Sequence, residues 1–174
     1  MAQVVVGVMG AGDLATHEDT ELAYQLGKSI AENGWILLTG GRKAGVMEAA
    51  SQGAKASGGI VIGILPGNNK LEMSDAVDIA IVTDLGNGRN NINVLSCDLV
   101  IACGMGLGTA SEVALALKNN RPVILLHQQE VTYQFFSHLA SEQVFSAANV
   151  EQAIALSQEI LLPYINAVSS SQDN

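Results

Sequence analysis

The segment Leu99-Val100-Ile101-Ala102-Cys103, followed at once by Gly104-Met105-Gly106-Leu107-Gly108-Thr109-Ala110-Ser111-Glu112, reads as a strand, a glycine loop and the start of a helix. The apolar run is unbroken, as a strand buried on both faces requires. Gly104, Gly106 and Gly108 let the backbone turn tightly and let a ligand come close to it. The helix opens with unpaired N–H groups aimed at that loop, a seat for a phosphate or another anion. The chain is therefore expected to bind a phosphorylated small molecule.

The same strand–loop–helix grammar recurs in both directions from this segment. Strands are expected at 4–9, 35–39, 60–65, 79–83 and 122–126, with a short one at 144–145. Helices are expected at 16–33, 46–57, 89–96, 109–119, 131–140 and from Asn149 to about Tyr164. Leu22, Leu26 and Ile30 recur every four residues on one helical face, Thr16 with Asp19 forms a cap, and Gly34 stops that helix. The stretch 68–77 has no regular pattern. Alternating strands and helices imply an α/β fold, a doubly wound parallel sheet of Rossmann-like type with helices on both faces. One domain is expected over 1–168, with a polar tail at 169–174. Ligands of such sheets sit beyond the carboxyl ends of the strands, where the strand order reverses.

Composition narrows the function classes. The chain has 174 residues and a formal net charge of −9, which argues against nucleic acid as a partner. No apolar run is long enough for a membrane span, and no basic region precedes the first strand as in a signal peptide. A soluble, cytoplasmic protein is expected. Cys97 and Cys103 read as reduced, buried thiols. His17, His127 and His138 lack metal-ligand spacing, so no metal site is expected, and no Cys or Ser falls in a nucleophile motif. Ala-rich helices and a mean hydropathy of +0.29 point to a homo-oligomer.

Four motifs lie at the expected ligand edge. Gly10-Ala11-Gly12-Asp13-Leu14-Ala15 follows the first strand, but Thr39 and Gly40 stand where a dinucleotide fold places an acidic residue for the ribose. Asp13, Glu18, Asp19 and Glu21 crowd the same turn, so Gly10 and Gly12 are expected to turn the chain or touch a ligand from one side. Thr39-Gly40-Gly41-Arg42-Lys43-Ala44-Gly45 combines glycines with two cations before a helix, the makings of an anion clamp. Arg89 and Asn90 open a helix, where Arg89 could reach an anion and Asn90, Asn91 and Asn93 a heterocycle. Thr109 and Glu112 have two readings. Their spacing is that of a capping box, in which Glu112 bonds the backbone of Thr109. Alternatively Glu112 is a general acid or base facing the ligand. Spacing favours the cap.

Gly40-Gly41-x-x-x-Gly45-Val46-Met47, Arg89, and Gly106-x-Gly108-Thr109-x-x-Glu112 together resemble the lysine-decarboxylase-like, LOG-type Rossmann superfamily over most of the chain. That resemblance implies a doubly wound sheet, at least a dimer, and enzymes that cut the N-glycosidic bond of cytokinin riboside monophosphates with an Arg and a Glu. Arg89 and Glu112 match those two by position. The family's Pro-Gly-Gly-x-Gly-Thr is Gly104-Met105-Gly106-Leu107-Gly108-Thr109 here, Arg42 replaces a loop glycine, and its Met-His-x-Arg-Lys is Gly86-Asn87-Gly88-Arg89-Asn90. These departures are more similar to the sister branch of molybdenum cofactor carriers, which form tetramers. That branch implies the molybdenum cofactor as cargo, cradled by the glycine loops, Arg42 and neighbouring Asn and Thr side chains, and leans away from catalysis. Self-association as a dimer or tetramer is then expected, with molybdoenzymes or cofactor-synthesis proteins as further partners. The alternative is a LOG-type phosphoribohydrolase acting on an AMP-like nucleotide, with Arg89 and Glu112 as its catalytic pair.

Overall fold

In the computed structural model, which describes residues 3–170, seven strands form one parallel sheet in the order β4-β3-β2-β1-β5-β6-β7. The strands are β1 (Val5–Gly10), β2 (Ile36–Thr39), β3 (Val61–Leu65), β4 (Ile79–Val82), β5 (Leu99–Cys103), β6 (Val123–Leu126) and β7 (Val144–Ala147). The helices are α1 (His17–Glu32), α2 (Gly45–Ala56), α3 (Asn90–Leu95), α4 (Leu107–Lys118), α5 (Glu130–Leu139) and α6 (Val150–Ser170). A 3₁₀ turn, Gly86–Arg89, leads into α3.

β5 shows why the sheet is sandwiched. All five of its residues are buried, and they alternate between two cores. Leu99, Ile101 and Cys103 join Leu26 and Ile30 of α1, Ala50 and Ala54 of α2, and Ala153 and Leu161 of α6. Val100 and Ala102 join Val94 of α3, Val113 and Ala116 of α4, and Phe136 of α5. The helices thus divide three and three across the sheet, the doubly wound arrangement that the alternating pattern implies. Strand order reverses between β1 and β5, so the ligand crevice of this fold class opens there.

Local chemistry sets the element ends. Thr16 caps α1 as expected: its side chain accepts from Asp19 N at 3.1 Å, while the Asp19 carboxylate accepts from Thr16 N at 2.9 Å. Asn149 Oδ1 accepts from Gln152 N at 2.9 Å at the start of α6. That helix runs to Ser170 through Pro163, beyond the expected end near Tyr164. Of the expected tail, 171–174 lie outside the described residues. The largest difference concerns α4. It starts at Leu107 with Gly106 as N-cap, two residues before the expected Thr109. Cys97 and Cys103 are buried free thiols. Among the described residues no helix is long and apolar enough to cross a membrane.

Candidate functional site

A cavity of about 100 Å³ opens at the switch point. Val8, Met9 and Gly10 of β1 form one wall, and Gly108, Thr109 and Glu112 of α4 face them. Gly40 at the end of β2, Met47 of α2, and Asn87, Arg89 and Asn90 around the 3₁₀ turn close the rest. Loops after β1, β2, β4 and β5 therefore converge on one point, because parallel strands deliver all their carboxyl ends to one edge.

The polar groups of this cavity are built from inside. Glu112 is 8% exposed, and its Oε1 accepts from Asn93 Nδ2 of α3 at 2.9 Å. Burial pushes its carboxyl up to about 6, while the Asn93 hydrogen bond and the Arg89 charge act in the opposite direction. Half-buried Arg89 donates from Nη1 to the carbonyls of Gly40 and Ile64. Burial lowers its pKa, and the Glu112 charge counters that. Thr109 is buried, and its hydroxyl has no hydrogen-bond partner among the described residues. Asn90 Nδ2 donates to Ser111 Oγ at 2.8 Å, and Ser111 Oγ donates to the Gly108 carbonyl at 2.7 Å.

The capping box expected from Thr109 and Glu112 does not form. With Gly106 as N-cap, Thr109 lies inside the first turn of α4, and Asn93 takes the carboxylate instead. Asn93, expected as a heterocycle contact, is spent on Glu112. The two-reading question for Glu112 is thereby settled against the cap. Its carboxylate belongs to the cavity.

Of the other expected contacts, Gly10, Gly40, Arg89, Asn90, Gly108, Thr109 and Glu112 meet at the cavity, whereas the clamp cations Arg42 and Lys43 do not. Arg42 Nε lies 3.1 Å from Glu72 and its Nη2 3.5 Å from Asp13. Lys43 is paired with Asp75, which raises its pKa. Both cations are thus engaged with carboxylates beside the crevice. Thr39 Oγ1 accepts from Gly41 N at 3.0 Å and steadies the loop. Gly45 packs under the first loop, where an added Cβ would lie 2.1 Å from the Gly12 carbonyl. Gly104 abuts the Asp19 carboxylate, Met105 is half-buried against the second core, and Gly106 caps α4. Val8, Met9, Met47 and Asn87 line the cavity without having been expected there. Asn87 alone carried a local hint, lying between two glycines just after a strand. Among the described residues, no three His, Cys, Asp or Glu side chains gather in a metal-holding group.

The family model described as SLOG cluster4 matches residues 3–154. The chain belongs to the SLOG cluster4 family. Among solved structures, it is similar to the molybdenum cofactor binding protein of the phototrophic bacterium Rippkaea orientalis, with a TM-score of 0.91 and 59% identity over 92% of this chain and 99% of that one. It is also similar to the molybdenum cofactor carrier protein of Chlamydomonas reinhardtii, with a TM-score of 0.89 and 50% identity over 92% and 99% of the two chains. A more distant relative is the cytokinin riboside 5'-monophosphate phosphoribohydrolase of Mycobacterium tuberculosis, 36% identical over 102 residues. That match spans 56% of this chain and about half, 54%, of the enzyme. The resemblance read from the glycine loops and Arg89 is thus sound at the level of both the superfamily and the carrier branch.

Proposed function

We infer that this chain binds the molybdenum cofactor reversibly and carries it as cargo. The observation that carries this reading is the whole-length likeness to the cofactor-binding and carrier proteins at 59% and 50% identity. The cargo is a pterin bearing a phosphate and a molybdenum dithiolene, and the site's chemistry suits its anionic end. Ala110 N is the first amide of α4 to bond back, to the Gly106 carbonyl at 2.8 Å. The preceding amides of Leu107, Gly108 and Thr109 are then available to an anion, next to the unpartnered Thr109 hydroxyl. Asn90 and Arg89 flank that seat, and a carrier needs no protein ligand on the metal.

Finer elements of the reading follow from this one. The protein works in the cytoplasm as one domain, self-associates as a dimer or tetramer, and hands cargo between cofactor-synthesis proteins and molybdoenzymes. Val131, Phe135 and Leu139 support self-association: they form an exposed apolar stripe along α5 at four-residue spacing.

A second reading rests on Arg89 and Glu112, which share one cavity, and on the mycobacterial phosphoribohydrolase. With an AMP-like nucleotide, Glu112 would assist attack of water on the anomeric carbon, and Arg89 would stabilise charge on the departing base.

One experiment separates the two. Purified protein is incubated with molybdenum cofactor, desalted rapidly, and assayed for retained pterin and molybdenum per chain, with AMP as competitor. Near-stoichiometric retention with AMP intact supports the carrier. Absent retention, with ribose 5-phosphate released from AMP, supports the hydrolase.

A further inference from the structure

A second recess lies on the same sheet edge, and the cavity at α4 leaves it unexplained. It is a groove of about 460 Å³ between the ends of β3 and β4, lined by Leu65, Pro66, Gly67, Leu71, Glu72 and Gly86 among others. Its walls are mainly apolar, and its one charged group is Glu72. Leu71 stands over it, 90% exposed.

The loop bearing Leu71 and Glu72 has no regular secondary structure, yet it is held in place. Lys43 N donates to the Glu72 carbonyl at 2.7 Å, and Ser74 N donates to the Gly41 carbonyl at 2.9 Å. Arg42 and Met73 form an antiparallel bridge. Arg42 Nε also binds Glu72 Oε2 at 3.1 Å, which leaves Oε1 with no hydrogen bond from the described residues. The guanidinium expected to clamp an anion therefore positions a carboxylate.

Groove and cavity are separate recesses bordered by adjacent stretches of chain. Gly86 lines the groove and its neighbour Asn87 lines the cavity. Between them Arg89 ties the Gly40 carbonyl after β2 to the Ile64 carbonyl of β3. From β5 to β3 the strand order β3-β2-β1-β5 takes three steps, roughly 14 Å at the usual inter-strand spacing. That span suits an elongated ligand with an anionic end at α4 and a flat, uncharged end over β3 and β4.

We propose that the groove is the second lobe of the cargo site and takes the 2-amino-4-oxo-pyrimidine end of the pterin, with Glu72 accepting its amino N–H and Leu71 covering the ring face. The proposal rests on the carrier reading and adds which end of the cargo lies where. The chemistry is complementary: an amino-pyrimidinone edge offers adjacent N–H donors, and a carboxylate oxygen is the acceptor suited to them. Pro66 and Leu71 offer the apolar surfaces a ring prefers.

The test uses wild type, Glu72→Gln and Leu71→Ser, each loaded with molybdenum cofactor and desalted. Displacement of cargo is then measured with free pterin, with lumazine (the same ring bearing oxygen in place of the amino group) and with inorganic phosphate. Both side chains are exposed, so the variants should keep the wild-type melting temperature. In Glu72→Gln the carboxamide can spend its one oxygen on Arg42 and turn N–H groups toward the ring. On wild type, pterin should displace cargo at a roughly tenfold lower concentration than lumazine, the worth of one charge-assisted hydrogen bond. Glu72→Gln should abolish that difference and leave phosphate competition unchanged, and Leu71→Ser should weaken both rings alike. Equal potency of the two rings on wild type, displacement by neither, or a difference that survives Glu72→Gln would overturn the proposal while leaving the carrier reading intact. Absence of any cargo on wild type would overturn the carrier reading itself, and with it the named occupant.

Discussion

Gly108 offers the sharpest perturbation of the site, because stability and binding should move in opposite directions. It is the second residue of α4 and lines the cavity, and an added Cβ would meet no heavy atom within 4 Å. Gly108→Ala is therefore free of clashes with the rest of the chain. Replacing a helical glycine by alanine contributes about 0.5–1 kcal/mol. For a chain of 174 residues that is a rise of about 1–4 °C in Tm. The methyl group nevertheless projects where an anion would approach the α4 amides. Loss of one hydrogen bond to a charged group costs about 1.5–3 kcal/mol, roughly ten- to a hundred-fold in Kd. Gly108→Leu should abolish binding. Differential scanning calorimetry gives the first quantity, and cofactor retention after desalting gives the second. Gly45→Ala is the contrasting control. Gly45 has φ of +49°, and its added Cβ would lie 2.1 Å and 2.4 Å from the Gly12 and Ala11 carbonyl oxygens, so that variant should fail to fold. A Gly108→Leu protein that is stable and retains cargo like wild type would show that the ligand does not lie on the first turn of α4.

Other outcomes follow from the same geometry. Glu112 has a folded pKa of about 6 against an ordinary 4.5, so its neutral form stabilises the fold. That contribution is full below about pH 4.5 and is lost as pH rises through about 6, worth about 2 kcal/mol for this buried group. Glu112→Gln should remove this component from the pH dependence of urea midpoints and raise stability at pH 7.5; an unchanged pH profile would contradict it. Thr109→Val should stabilise the free protein by about 1 kcal/mol, since it removes a buried hydroxyl without a partner, and should weaken the binding of phosphate-bearing ligands. A Thr109→Val protein that is less stable and binds normally would mean the hydroxyl has a structural role. Phe135, 61% exposed on α5, should when changed to Glu shift the mass measured by light scattering toward a single chain; an unaltered mass would place the self-contact elsewhere.

What could be read from the sequence follows from the range of the interactions concerned. β5 was legible to the residue because five consecutive buried side chains leave no alternative period. Gly34 and Gly58, both with positive φ, ended their helices as glycines past a helix do. α4 starts two residues before the expected Thr109, and Thr-x-x-Glu has the same spacing whether it caps a helix or lies inside its first turn. What separates the cases is a donor 19 residues away, Asn93 on the neighbouring helix, and no local pattern announces it. Arg42 was misplaced for a similar reason: its carboxylate partners, Asp13 and Glu72, stand 29 and 30 residues off.

The Asn93–Glu112 bond and the Arg42 ion pairs both bear on how such a site distributes charge. A cavity that receives an anion cannot leave Glu112 free to repel it. Asn93 takes one of its oxygens, Arg89 offsets its charge, and burial moves it toward neutrality. Arg42, which local reading would aim at the ligand, is consumed in holding Glu72 and Asp13. On the proposed carrier reading, attraction for an anion is left to the amides of α4 and the Thr109 hydroxyl, with Arg89 fixed at one side by two carbonyls. Neutral donors bind an anion more weakly than a bidentate guanidinium does. Under the proposed carrier reading, weak neutral donors would let the cargo be released intact.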